Sequence, residues 1–118
     1  MKMQTLLRAE FVTVDEIAGA LVVGFADRQA DTSNYFMLQR GLGPGDDDGV
    51  YLEHTDQAYG TYGHISSCSL SEGRIEVTVD ESTAGSLGTD TTFAVEFSCD
   101  RASLVWRASS RFPVVRRS

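Results

Sequence analysis

At 118 residues, with 42% hydrophobic and 23% charged side chains, the chain is long enough for one domain with an ordinary core and too short for two. Its net charge of −7 is unevenly spread: residues 1–100 hold 17 acidic groups against five basic ones (Lys2, Arg8, Arg28, Arg40 and Arg74), and residues 101–118 hold five arginines and no acid. So acidic a body repels phosphate backbones, which argues against nucleic acid as a partner, and it would speed encounter with a basic protein, although on charge alone plain solubility is the commoner explanation.

Taken from the N-terminus, Met1 to Gln4 lack the apolar stretch of a secretory signal, so a cytoplasmic protein is expected. There Cys68 and Cys99 would be buried, reduced thiols, too few and too far apart for a disulfide scaffold or a four-ligand zinc site. Leu7, Ala9 and Phe11 share one face of a first strand, with Arg8 and Glu10 pointing away. The longest apolar run, Ile17 to Ala26, falls well short of the roughly 20 residues of a membrane span and reads as one buried, central strand with Leu21, Val23 and Phe25 in a row. No membrane partner is implied. Asn34 to Arg40 is a strand with Phe36 and Leu38 on one face, and the turn-forming stretch Gly41 to Gly49 is an exposed loop.

Val50 to His54 and Ile65 to Leu70 are shorter strands, with a glycine- and tyrosine-bearing loop from Ala58 to His64 between them. Glu72-Gly73 suits a hairpin pairing 65–71 with 73–80, where Ile75, Val77 and Val79 face inward. Asp80 to Asp90 has room for one short helical turn stopped at Gly88, and Phe93, Val95 and Phe97 form another inward row. Asp100 can cap a helix in which Leu104, Val105, Ala108 and Phe112 recur before Pro113, with Trp106 at its edge; a strand through Leu104, Trp106 and Ala108 competes. Residues 113–118 read as a frayed tail. The expectation is a single α+β domain over 1–118: a mostly antiparallel sheet of about seven strands with one C-terminal helix packed on it.

Chemistry is sparse. Gly41-x-Gly43-x-Gly45 is followed by three aspartates, which would repel a phosphate. Asp46-Asp47-Asp48-Gly49 lacks the alternating oxygens and closing glutamate of a calcium loop, and a solvated acidic loop, open to a partner, fits better. Glu53, His54 and Asp56 are the densest titratable set, but neighbours on a strand point to opposite faces, so the two carboxylates are expected to cap backbone N–H groups in the turn that follows. His54 and His64 have no third ligand at metal spacing, and Cys68 has no helix N-terminus beside it to activate its thiol. No catalytic residue, metal ligand or cofactor site emerges. Tyr59 and Tyr62, on a glycine-bearing loop, have the composition of an interface, with one of the two expected to fold back on the core.

Three segments in order carry a resemblance. Asn34-Tyr35-x-x-Leu38-Gln39-Arg40 is followed by Tyr51-x-Glu53-x-x-Asp56-Gln57 and then by Tyr62-Gly63-His64-Ile65. This set, spanning about residues 34–80, resembles the immunity protein 10 family, whose members carry N-Y-x-x-L-Q-R, Y-x-E-x-x-D-Q and Y-G-G-I; His64 stands where glycine is expected, and the Pro44–Gly49 loop is peculiar to this chain. The resemblance implies a bacterial inhibitor that protects its own cell from a polymorphic toxin and performs no chemistry. Asp46, Asp47, Asp48, Glu53, Asp56, Tyr59 and Tyr62 are then the expected partner-binding residues, and a basic nuclease toxin is the partner that the charge would suit. The alternative is a small β-rich enzyme or ligand-binding domain with a pocket near Glu53, His54 and Asp56. Monomer and homodimer both stay open.

Overall fold

Apolar side chains at every second position cannot all be buried by a helix, and the chain answers the alternation with strands. The computed structural model describes residues 4–27, 34–41, 50–63, 65–71, 73–97 and 115–117. In chain order these form β1 (Gln4–Ala9), β2 (Phe11–Ile17), β3 (Ala20–Ala26), β4 (Tyr35–Gly41), β5 (Val50–His54), β6 (Asp56–Gly63), β7 (Ile65–Ser71), β8 (Arg74–Val79), α1 (Glu81–Leu87), β9 (Thr92–Phe97) and the three-residue β10 (Val115–Arg117). Sheet I is an antiparallel meander, β2-β3-β4-β5-β6. Sheet II has the order β1-β9-β8-β7-β10, antiparallel in its middle and parallel at both edges.

The architecture is α+β and mostly antiparallel, as expected, but the strands form two facing sheets rather than one sheet of about seven. Both sheets turn their apolar rows to a shared core. Leu21, Val23, Phe25, Phe36, Leu38 and Leu52 come from sheet I, and Ile75, Val77, Phe93, Val95 and Phe97 from sheet II. Phe36 meets Phe93 edge-to-face at 5.3 Å between ring centroids, and Phe25 meets Phe97 at 5.7 Å. Cys68 is buried in this core, and burial pushes its thiol up to about 12, so it stays protonated and inert. On β7 the inward positions switch from Ile65 to Cys68 and Leu70, a change of parity that a bulge between Ile65 and Ser67 absorbs.

Several expectations are corrected by these pairings. The run Ile17 to Ala26 is not one strand: Ala18 (φ 53°) and Gly19 (φ 79°) make a two-residue hairpin turn, which leaves Ile17 exposed at the end of β2. The row Leu7, Ala9, Phe11 breaks at Glu10, since Phe11 opens β2 in the other sheet. Most of the expected Ala58–His64 loop is β6. Part of the expected frayed tail, Val115–Arg117, pairs in parallel with Cys68–Leu70. The short helical turn before Asp90 is real and becomes α1; the helix expected over 100–112, together with Trp106 and Cys99, lies outside the described residues.

Helix α1 is defined at both ends. The Asp80 carboxylate accepts the Thr83 N–H at 2.8 Å, and Gly88 closes the helix in the left-handed region (φ 70°, ψ 35°) that its missing Cβ permits. Thr83, Ala84 and Leu87 are buried, and the helix presses against β6. Gly63 makes this approach feasible, because a Cβ there would stand 2.4 Å from Thr83 Cγ2 and 3.0 Å from Leu52 Cδ1. Gly63→Ala is therefore expected to lower unfolding stability in urea by about 1–3 kcal/mol. Gly85→Ala, where a Cβ meets nothing within 4 Å, should instead add roughly 0.5–1 kcal/mol. Equal stability of the Gly63→Ala and unaltered chains would refute the packing of α1 on β6.

Candidate functional site

Because Phe36 and Leu38 are committed to the core, the pleat of β4 turns Tyr35 and Met37 to the opposite face of sheet I. The same logic on β5 sends Leu52 inward and Tyr51 and Glu53 outward. Met37 lies opposite Glu53 and Gln39 opposite Tyr51, so Tyr35 is the diagonal neighbour of Glu53. Both rings use that placement. The Tyr35 hydroxyl donates to Glu53 Oε2, and the Tyr51 hydroxyl donates to Glu53 Oε1 at 2.7 Å.

Glu53 is only 7% exposed. A carboxylate so far withdrawn from water needs its lone pairs met, and here one phenol serves each oxygen. Tyr51 feels the bond in return. Its hydrogen bond to Glu53, then partial burial, then the charge of the same carboxylate push the phenol up to about 12. On β6, Tyr62 lies opposite Tyr51, and the two rings meet edge-on at 5.3 Å between centroids. Tyr62 is 76% exposed. Beside this cluster, toward β2, lies an apolar groove of about 280 Å³ lined by Phe11, Thr13, Val22, Gly24, Ala26 and Met37, with Tyr35 between groove and cluster. Gly24 keeps the groove open, since a Cβ there would come within 2.8 Å of Thr13 Oγ1.

The expected partner-binding residues scatter. Tyr62 stands on this outward face, and Glu53 lies beneath it as a structural anchor rather than an exposed charge. In place of backbone N–H groups in the following turn, Glu53 takes two tyrosine hydroxyls. Tyr59, half exposed, lies elsewhere, with its ring atoms about 3.5 Å from where a Gly88 Cβ would stand at the end of α1. Asp56 opens β6 opposite His54, and its side chain is outside the described part of the structure; Asp46, Asp47, Asp48 and His64 lie outside the described residues. Glu53 and His54 diverge as strand alternation requires. His54 faces α1, where its Nδ1–H donates to the Leu87 carbonyl at 3.1 Å, so the two do not form an acid–base pair. Among the described residues no three His, Cys, Asp or Glu side chains come together to hold a metal ion.

The groove was not anticipated: Phe11 was placed in one row with Leu7 and Ala9, Val22 lay in a run read as buried on both faces, and nothing in β4 alone shows that Met37 meets them. Parity along β4 was the available signal, since Phe36 and Leu38 inward leave Tyr35 and Met37 outward.

All three motif segments meet at this site or support it. Leu38 is core, Tyr35 and Tyr51 hold Glu53, Tyr62 covers Tyr51, Gly63 admits α1 and Ile65 is buried. Compared with known protein families, the chain matches the model of immunity protein 10 over residues 8–105, which takes in sheet I, α1 and most of sheet II. No curated protein matches the chain.

Removing the Glu53 charge tests the cluster. In Glu53→Gln the Tyr51 phenol is expected to titrate back near its ordinary 10.0 instead of about 12, read from phenolate absorbance against a Tyr51→Phe control. The folded-state value lies above the unfolded one, so the contribution to stability is complete below pH 10.0 and lost as pH climbs through about 12. A Tyr51 that already titrates near 10.0 in the unaltered chain would rule out the bond.

Proposed function

The chain belongs to the immunity protein 10 family, and from that membership we propose that it is a bacterial immunity protein, a non-catalytic inhibitor that binds a cognate toxin in the cytoplasm of the cell that makes it. The family match over residues 8–105 is the observation that carries this reading. Two features support it. The outward face of sheet I offers aromatic and apolar surface organised by hydrogen bonds, which is what recognition uses and what acid–base or nucleophilic catalysis does not need. The net charge of −7 favours a basic toxin domain, such as a nuclease, and speeds the encounter on which protection depends.

Inhibition of this kind is stoichiometric. The chain and the toxin domain encoded beside its gene are expected to bind one to one in calorimetry. Raising ionic strength from about 0.1 M to about 1 M, which shortens the screening length from about 10 Å to about 3 Å, should weaken the complex by about tenfold. Co-expression with that toxin should restore growth of a host the toxin otherwise stops. Failure of both binding and protection would sink the reading.

A further inference from the structure

We infer that the outward face of sheet I, from the Phe11–Met37 groove to Tyr62, is the surface that docks the basic toxin domain. This rests on the immunity reading above and adds to it a place and a partner chemistry. The first argument is charge, counted by the stretch of sequence that supplies each sheet. Residues 10–63, which contain every strand of sheet I, carry ten acidic groups against Arg28 and Arg40, a net of −8. The remaining residues, which contain sheet II and α1, carry seven acidic groups against eight basic ones, a net of +1. Sheet II also neutralises its own charges: Arg74 reaches Glu76 at 3.0 Å and Glu96 at 3.5 Å, and Arg8 reaches Glu96 at 3.8 Å. The acidity is therefore concentrated in the stretch of sequence that supplies sheet I.

The second argument is shape and order. Tyr62 projects into solvent, yet its ring rests on Tyr51, and Tyr51 is tied to the buried Glu53. A large amphipathic side chain held in advance loses little entropy on binding, and such residues supply the anchors of interfaces. The groove beside it accepts an apolar side chain, and the tyrosine faces accept a lysine or arginine. A second copy of the chain would bring a second acidic stretch of net −8 to the first, so the occupant is a protein of opposite charge.

The test is calorimetric titration of the full chain with the toxin domain encoded beside its gene, using the unaltered protein, Tyr62→Ala, Met37→Lys and, on sheet II, Arg8→Glu. Tyr62 is 76% exposed, so its substitution should leave the thermal midpoint unchanged, and it decides the matter alone if Met37→Lys does not fold. Tyr62→Ala and Met37→Lys are each expected to weaken binding by about tenfold or more, and Arg8→Glu to change it by less than about threefold. If the unaltered chain binds and both sheet I variants bind equally tightly, this placement is overturned while the immunity reading survives. If the unaltered chain does not bind, both fall. A salt-resistant dimer of the chain that Tyr62→Ala dissolves would likewise overturn the placement, by giving the face to a second copy.

Discussion

Phe36 packs edge-to-face on Phe93 across the space between the sheets, and the pleat of β4 does the rest. Once Phe36 and Leu38 are held in the core, the residues between and beside them have one direction left. Tyr35 and Met37 must face outward, where register with β5 delivers Glu53 opposite Met37 and within reach of the Tyr35 hydroxyl. A slip of one residue would exchange the two rows. It would bury tyrosine and glutamate against Phe93 and put phenylalanine in water, so the aromatic contact between sheets and the polar cluster outside enforce the same alignment.

The cluster itself trades solvation for order. Withdrawing a carboxylate from water is unfavourable by several kcal/mol unless donors replace the lost water, at roughly 1.5–3 kcal/mol for a hydrogen bond to a charged group. Two phenols do so here, one from β4 and one from β5, which ties neighbouring strands together through side chains as well as backbone. The arrangement leaves Tyr51 as a fixed platform for Tyr62. Gly63, next in the chain, points the other way and meets α1. One dipeptide thus serves both faces of sheet I, and this gives a physical reason for finding tyrosine and glycine together in the third motif segment.

Much of this is legible in the sequence. The inward rows of β3, β4, β8 and β9 follow from alternation, the β7–β8 hairpin from Glu72-Gly73, and the short helical turn that is α1 from its stop at Gly88. Alternation says which residues share a face and nothing about what that face meets, so two facing sheets were read as one. β2 was missed in part because Ala18 occupies a positive-φ turn position usually held by asparagine, aspartate or glycine, so Ile17, its last residue, was read into the apolar run of β3. β6 was hidden because glycine and tyrosine in alternation look like loop when the partner strand is unknown. At the site, Tyr35, Tyr51, Glu53 and Tyr62 were all picked out as motif residues, but that they touch depends on register between strands, which no single strand reveals.

The two sheets also differ in when their partners exist. Every strand of sheet I pairs with the next one along the chain, so its hydrogen-bonded ladder is fully specified once Gly63 has been made. Sheet II is closed by distant segments: β1 waits for β9, and β7 waits for β10. The entropy of loop closure therefore falls on sheet II, and the slow, long-range part of folding belongs there. During synthesis sheet I can complete its ladder while Phe25 and Phe36 still lack Phe97 and Phe93, which leaves a paired sheet with a bare apolar face until the last third of the chain emerges.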